Sequence, residues 1–592
     1  MFSLPLEGEE SPIELALNIN VMQKQWRVKT PDPKLQVEFS NSLAIHPVVA
    51  QLLINREVKT VEEADRFLKS DLSFLHDPFL LKDIDKAIAR LQIAKEKKEH
   101  VLIFGDYDVD GVSSSALLRK CLKKWGLNVS NYIPHRMKEG YGLNHGVIEY
   151  AKNLNITLLF CVDCGVTAIA QVDGLNKENI DVIILDHHEP PDGKLPNAVA
   201  VINPKRKDCP YPFKYLASVG LVYKFAHALF GKPPDDDLDL VTLGTISDVV
   251  ELKGENRIFV KEGLKKFAQT TNKGLAALMD VARIKGKTIR PYHIGFILGP
   301  RINATGRLGS AEKSLNLFLS ETDEEAYRWA KNLEEDNRSR QKTQSGIVDE
   351  AMAIVARDVN FKEHRIIVLC KEGWHRGVIG IVASRIMDTY YRPTIVISLD
   401  DELGVGSARS IDGFHLSKAL NHCSSLLENF GGHEHAAGLT IRRENIDAFR
   451  QAINDFAKDT MDSHMLIPAC DIDCEIPIAQ IDLELIKAID VLEPFGEGNP
   501  APVFCSRRLT VKGPAQVLGK DTLKFWVSDG KTILQAVGFG MACYYDLVMK
   551  AKTIDMAFKL AVDDWNKAPT VQLEVKDIRE SEMTLDGLCN TT

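Results

Sequence analysis

Cysteine is scarce: 11 residues in 592, an odd number without regular spacing, which argues against a disulfide framework and for reduced thiols. The closest pair, Cys161 and Cys164, has no second C-x-x-C pair to complete a zinc ribbon and encloses Asp163, so it reads as core packing. Excess positive charge is also missing. Lys+Arg total 73 against 82 Asp+Glu, a net of −9, which argues against broad coating of duplex DNA yet leaves room for a local basic groove and a cation-binding carboxylate cluster. Long apolar runs are absent too: ITLLFCVDCGVTAIA is broken by Asp163 well short of the ~20 residues a membrane span needs. The start, MFSLPLEGEESP, lacks the basic opening of a signal peptide, so a cytoplasmic location with no membrane association is expected.

What is present, 45% hydrophobic and 26% charged residues, excludes disorder as the main state, and the length allows about three to five domains. Residues 1–75 read as a helical segment without an interpretable motif. From about 80, helix and strand alternate. Ile84, Ile88 and Leu91 mark a helix before the buried strand VLIFG, and helices near 112–125, 145–154 and 166–177 precede NVSNYIP, ITLLFCVD and DVIILD. Such alternation predicts an α/β fold with a parallel sheet, whose ligands gather beyond the carboxyl ends of the strands.

The capping box Thr322-x-x-Glu325 opens a helix expected over 322–357, on the order of 50 Å long. Its ends are apolar and its middle, EEDNRSRQKTQ, is polar all round, which predicts a strut joining two domains with an exposed centre. Arg338, Arg340 and Lys342 there either line a strand-binding groove or form a solvated face. A second α/β unit runs from RIIVLC to the helix around Ile446, Phe449, Ile453 and Phe456. After about 465, short strands with turn residues between them predict a small antiparallel barrel of the oligonucleotide-binding kind, with Phe525, Trp526, Phe539 and Trp565 divided between core and base stacking.

The chemistry sits at strand ends. Asp106, Asp108 and Asp110 follow VLIFG directly, too many acids for helix capping alone. An EF-hand fails because its twelfth position is Leu117. Asp163 closes ITLLFCVD and Asp186-His187-His188 closes DVIILD, so parallel pairing would bring Asp106, Asp108, Asp163 and His187 to one edge, with Asp248 as a fifth candidate. Carboxylates with one imidazole suit two Mn²⁺ or Mg²⁺ ions better than structural zinc, and two such ions ~4 Å apart favour phosphoester hydrolysis by an activated water. In GGHEHAAG a zinc-protease reading is excluded because position 437 is Ala437. Ser407, Arg409 and Ser410 offer hydroxyls and a guanidinium fork, and Gly431-Gly432-His433 could let backbone N–H groups approach an oxyanion unless it is simply a helix–strand turn.

The motifs DYDVDG, CVDCG, LDHHEP and TISDVV, in this order, resemble the metal-ligand motifs of the DHH phosphoesterase superfamily. GPRINATGRL, GVIGIVASRI, GSARS, GGHEHAAG and VLEPFGEGNPAPVF resemble further signatures of its RecJ-type members, single-strand-specific exonucleases, over residues 40 to 580. This likeness implies a DHH catalytic domain at 76–320, a connecting helix at 321–358, a DHHA1 domain at 359–462, an OB-fold barrel at 463–582 and a tail at 583–592. It implies 5′→3′ hydrolysis of single-stranded DNA to mononucleotides in recombination and repair, alongside a single-strand-binding protein and a helicase. By matching motif, Asp106, Asp108, Asp163, His187 and Asp248 become metal ligands, and His188 a residue at the scissile phosphate. Asp110 and Asp186 become acids that orient their neighbours. Arg301, Asn303 and Arg307 face phosphates, and Ser407, Arg409, Ser410, Gly432 and His433 hold a 5′-phosphate. Cys164 stands where Asn is common and Val109 where Ala is common; neither is a ligand.

Overall fold

The computed structural model describes residues 24–140, 142–563 and 568–582, so residues 1–23, Trp565 and the tail lie outside the described residues. The chain divides into two compact units, one comprising Asp65–Lys342 with Glu493–Pro500, the other holding the rest. The long helix is shared between them.

In the first unit, five strands pair in parallel in the order Asn128–Tyr132, His100–Gly105, Leu158–Val162, Asp181–Leu185, Ala200–Ile202. Four are the runs expected; the fifth, AVI, is too short to carry a pattern. Both faces of the sheet are covered. Val101 and Ile103 enter the core with Leu117 and Leu118 of the helix Val109–Trp125, whereas Leu102 and Phe104 enter the opposite core with Val147 and Val172. The sheet's carboxyl edge therefore ends in Asp106, Asp163 and Asp186 on three adjacent strands.

The second unit carries a mixed sheet ordered Leu427–Gly432, Ala436–Arg442, Leu403–Arg409, Thr394–Asp400, Ile367–Glu372, in which only the last pair is parallel. Its barrel closes where Phe504–Val511 pairs with both Ile554–Asp563 and Thr522–Ser528. Two pairs, Cys474–Glu475 with Phe504–Val511 and Ile533–Gly538 with Thr570–Glu580, are parallel, so the barrel is not wholly antiparallel as expected. Phe525 faces its core at 1% exposure, while Trp526 and Phe539 are exposed. The N-terminal segment, read as helical, contains the strand Gln25–Val28, parallel to Ala469–Ile472, and Trp26 Nε1 donates to Asp577 Oδ2 at 2.6 Å.

The long helix runs Asp323–Asp358, and Glu325 N donates to Thr322 Oγ1 at 3.2 Å as the capping box requires. Its centre departs from expectation: Asn337 and Arg340 are buried rather than exposed. Polar residues pack here because they are paired, Arg301 with Glu334 at 2.7 Å, Lys313 with Asp336 at 2.8 Å and Arg340 with Asn337 at 2.5 Å. Arg338 and Lys342 stay exposed.

Candidate metal centre

The loop after His100–Gly105 is folded by its own acids. Asp108 is the N-cap of Val109–Trp125 and accepts from Gly111 N at 3.0 Å. Gly111 has no alternative here, since a Cβ would stand 2.5 Å from the Asp106 carbonyl oxygen. Asp110, fully buried, accepts from Ser218 N at 2.7 Å and Val219 N at 3.0 Å, fastening the start of the helix Ser218–Phe230 to the loop. Asp163 lies in the left-handed region at φ 62° and accepts from Ser218 Oγ at 2.9 Å. Strain at a non-glycine residue persists only where the surroundings over-determine it.

His187 contacts two of these acids, with Nε2 at 3.3 Å from Asp163 and 3.6 Å from Asp248. Its Nδ1 lies 3.2 Å from Leu216 O, a contact that assigns the proton to Nδ1 and turns the Nε2 lone pair toward the carboxylates. Asp248 ends the helix Leu238–Ser247 as its C-cap. Three groups of potential ligand atoms result, each within 4.8 Å: Asp106, Asp108 and Asp163; Asp110, His187 and Asp248; Asp163, His187 and His188. The sites predicted from four separate motifs thus meet.

Electrostatics follow from this crowding. Burial, then the neighbouring Asp108, pushes Asp106 up to about 8, and the same causes push Asp110 up to about 7. Burial and mutual repulsion hold Asp163 and Asp248 well above the usual carboxylate range. Burial, with the neighbouring His188, lowers His187 to about 4, leaving it neutral. Asp186 resists burial because it accepts from His188 Nδ1 at 2.8 Å and Val166 N at 2.9 Å, which keep its carboxyl low. Burial would lower His188, but that bond to Asp186 and the nearby acids raise it overall.

The donor set fits divalent cations. Asp106 Oδ1 is buried without a hydrogen-bond partner among the described residues, and several mutually repelling carboxylates beside a neutral imidazole need a positive counter-charge. Asp106, Asp108, Asp163, His187 and Asp248 are the residues that would hold them.

Around the cluster, Arg307 and Asn303 are half-buried, whereas Arg301 spends Nε on Glu334 and Nη1 on Ile297 O at 2.6 Å. Sequence reasoning missed Arg136, whose guanidinium lies 5.0 Å from the Tyr107 ring and whose charge lowers Asp106. Its signal was a basic residue just beyond the end of the strand Asn128–Tyr132, in the same edge position as the acids. In the second unit, Ser407 and Arg409 share one side of their strand, with Arg409 Nη1 donating to Ser407 Oγ at 3.2 Å. Gly380 packs against both, a Cβ there standing 3.0 Å from Ser407 Oγ. Ser410 departs from the expected role: its hydroxyl donates inward to Phe414 O at 2.7 Å. GGHEHAAG is a strand–strand hairpin, not a helix–strand turn, with Gly432 at φ 142° and His433 N donating to Ala436 O at 2.9 Å. That N–H closes the turn and is not offered to an anion. The His433 side chain is exposed.

Three sequence families match the chain: the DHH family N-terminal domain over residues 100–245, the DHHA1 domain over 363–459 and the RecJ OB domain over 472–577. The chain is 36% identical over 567 residues to the single-stranded-DNA-specific exonuclease RecJ of Bacillus subtilis, covering 95% of this chain and 72% of that protein. The crystal structure of RecJ in complex with Mn²⁺ from Thermus thermophilus superimposes with a TM-score of 0.81 at 28% identity, over 94% of this chain and 80% of that one. The same enzyme in complex with Mg²⁺ gives 0.75 at 26% identity, over 94% and 79%.

Proposed function

The chain belongs to the RecJ family of single-stranded-DNA-specific exonucleases, and from that premise we propose that it is a Mn²⁺- or Mg²⁺-dependent hydrolase degrading single-stranded DNA from the 5′ end to mononucleotides. One observation carries the reading: three adjacent strand ends and one helix end deliver Asp106, Asp108, Asp163, His187 and Asp248 to a single cluster.

When bound, the cations supply Lewis acidity toward the phosphate and acidify a water to near neutrality. The chain's own residues do the rest. Asp106, Asp108, Asp163, Asp248 and His187 Nε2 present the ligand atoms, and Leu216 O fixes the imidazole that carries one of them. Asp186 holds His188 by Nδ1 and favours its protonated form, which suits a proton donor to the leaving 3′ oxygen. Arg136, Asn303 and Arg307 meet phosphate oxygens, while Ser407, Arg409 and the exposed His433 side chain bind a terminal 5′-phosphate.

Further readings extend this role. Among the described residues no single helix is long and apolar enough to cross a membrane, and the ten described cysteines are all free thiols, which supports action in the cytoplasm. An enzyme needing single strands fits recombination and repair, where a helicase exposes them and a single-strand-binding protein covers them.

A time course on strands labelled at either end tests the proposal. The expected result is Mn²⁺-dependent release of mononucleotides from the 5′ end, with duplex spared; endonucleolytic fragments or metal-independent cleavage would overturn it.

A further inference from the structure

In a chain with net charge −9, residues 281–311 contain Arg283, Lys285, Lys287, Arg290, Arg301 and Arg307 and not one Asp or Glu. Their apolar members point inward: Ile284, Ile289, Ile294, Leu298 and Ile302 all belong to one buried core. Apart from Gly286 and Thr288, the residues of 281–300 that are exposed are basic or aromatic. Arg283, Lys285, Lys287 and Arg290 are exposed, and so are Tyr292 at 62% and Phe296 at 73%. The two rings lie 5.2 Å apart with planes at 22°, a stacked pair one turn apart on the helical surface. Water is a poor neighbour for two such faces, and the core does not need them.

The backbone holds this pair rigidly. His293 Nδ1 accepts from Arg290 N at 3.0 Å, closing the turn that starts the segment. His293–Leu298 is wound as a π-helix, a rare geometry frequent at functional sites, and is followed without a break by the helix Gly299–Leu308. At Gly306 that helix touches the metal loop, where a Cβ would come 3.0 Å from Tyr107 O. At 1.5 Å per residue, the aromatic pair stands roughly 15–20 Å along the helix from the loop, about two or three nucleotides of an extended strand.

Flat faces flanked by fixed positive charge are what an unpaired nucleic-acid strand needs, since every base can stack and every phosphate must be neutralised. We propose that Tyr292 and Phe296 form a base-stacking platform on the catalytic unit, gripping the substrate two to three nucleotides 3′ of the scissile phosphate, with Arg283, Lys285, Lys287 and Arg290 receiving its backbone. This rests on the exonuclease reading above. It adds a contact outside the barrel that holds the strand next to the cut, so each release of a mononucleotide leaves the remainder bound.

The test uses the full-length protein and 5′-phosphorylated single strands of about 20 nucleotides with 2-aminopurine at position 3 or position 12. Binding is followed in EDTA, which holds off hydrolysis. Position 3 fluorescence should be quenched on binding to the wild type, and the Tyr292→Leu/Phe296→Leu variant, which keeps apolar bulk but loses the flat faces, should lose that quenching and bind about tenfold more weakly. Phe296→Trp should restore it, and Phe79→Leu, at a ring 57% exposed elsewhere on the same unit, should leave it unchanged. Equal quenching in the wild type and the Leu/Leu variant, in a chain that hydrolyses single strands with Mn²⁺, would overturn the platform alone. A wild-type chain without Mn²⁺-dependent hydrolysis would overturn the exonuclease reading instead.

Discussion

At Asp163, one side chain carries strain, burial and repulsion together, each a cost that a cation would offset. Asp163→Asn keeps the left-handed backbone, which Asn tolerates, but removes a charged ligand. Steady-state assays with Mn²⁺ should show kcat reduced more than the ~10–100-fold expected when an outer partner such as Asp110 is changed to Asn. Near-normal turnover by the Asp163 variant would remove it from the centre. The same residues set a pH dependence. Without metal, Asp106 at about 8 and Asp110 at about 7 have folded values above those of unfolded chains, so they favour folding at low pH and lose that contribution as pH rises through 7 and 8. Thermal melts in EDTA should therefore shift to lower temperature between pH 6 and 8.5, and Mn²⁺ should raise the melting temperature more at pH 8 than at pH 6, because fewer protons must leave first. His187, at about 4, is neutral in the folded chain throughout that range, but its unfolded imidazole titrates near ~6.5, so it adds a smaller slope of opposite sign that is confined to the acid end of the range. A Mn²⁺ shift independent of pH would contradict the carboxylate cluster.

Single helices and strands expose a different kind of constraint, set by how closely backbones approach. At Gly111 the neighbour is backbone, Asp106 O at 2.5 Å, and cannot rotate away. Gly111→Ala must push the helix Val109–Trp125 off the metal loop, so it should cost about 1–3 kcal/mol in denaturant unfolding and depress Mn²⁺-dependent turnover as well. Gly346, in the long helix, has nothing within 4 Å of an added Cβ, and Gly346→Ala should instead stabilise by about 0.5–1 kcal/mol, with activity retained. Opposite signs at two glycines would separate close packing from helix propensity. Elements also mark where the sequence is readable. The runs VLIF, LLFCV and DVIIL are apolar on both faces, which only a buried parallel sheet tolerates, so the strands and the acids at their ends could be placed from sequence. Ala200–Ile202 has three residues and no period to detect, and Gln25–Val28 pairs with a strand more than 400 residues away, a contact with no local signature. Arg340 was read as exposed because polarity suggests solvent; its burial beside Asn337 depends on partners that periodicity does not register.

Across the whole molecule, the signature VLEPFGEGNPAPVF separates two tasks that lie side by side in sequence. Residues 493–500 belong to the catalytic unit: Leu252 N donates to Glu497 O at 2.7 Å, and the buried Arg257 donates to Glu493 O at 2.9 Å and Pro494 O at 3.4 Å. Leu252 lies four residues after Asp248, so this loop braces the backbone that leads away from a proposed ligand. Apart from the short strand Cys474–Glu475, the barrel strands begin only at Phe504. A chain ending at Pro500 and one ending at Ile467 should therefore fail differently. The first loses the barrel and should bind a 40-nucleotide strand at least tenfold more weakly in fluorescence anisotropy, with a much smaller change for a 6-nucleotide strand that a barrel cannot share. The second also strips acceptors from a buried guanidinium, at about 1–3 kcal/mol for each orphaned donor, and should melt at a lower temperature with weaker Mn²⁺ protection. If both truncations weakened short and long strands alike, the barrel would be a structural support and not a strand-binding module.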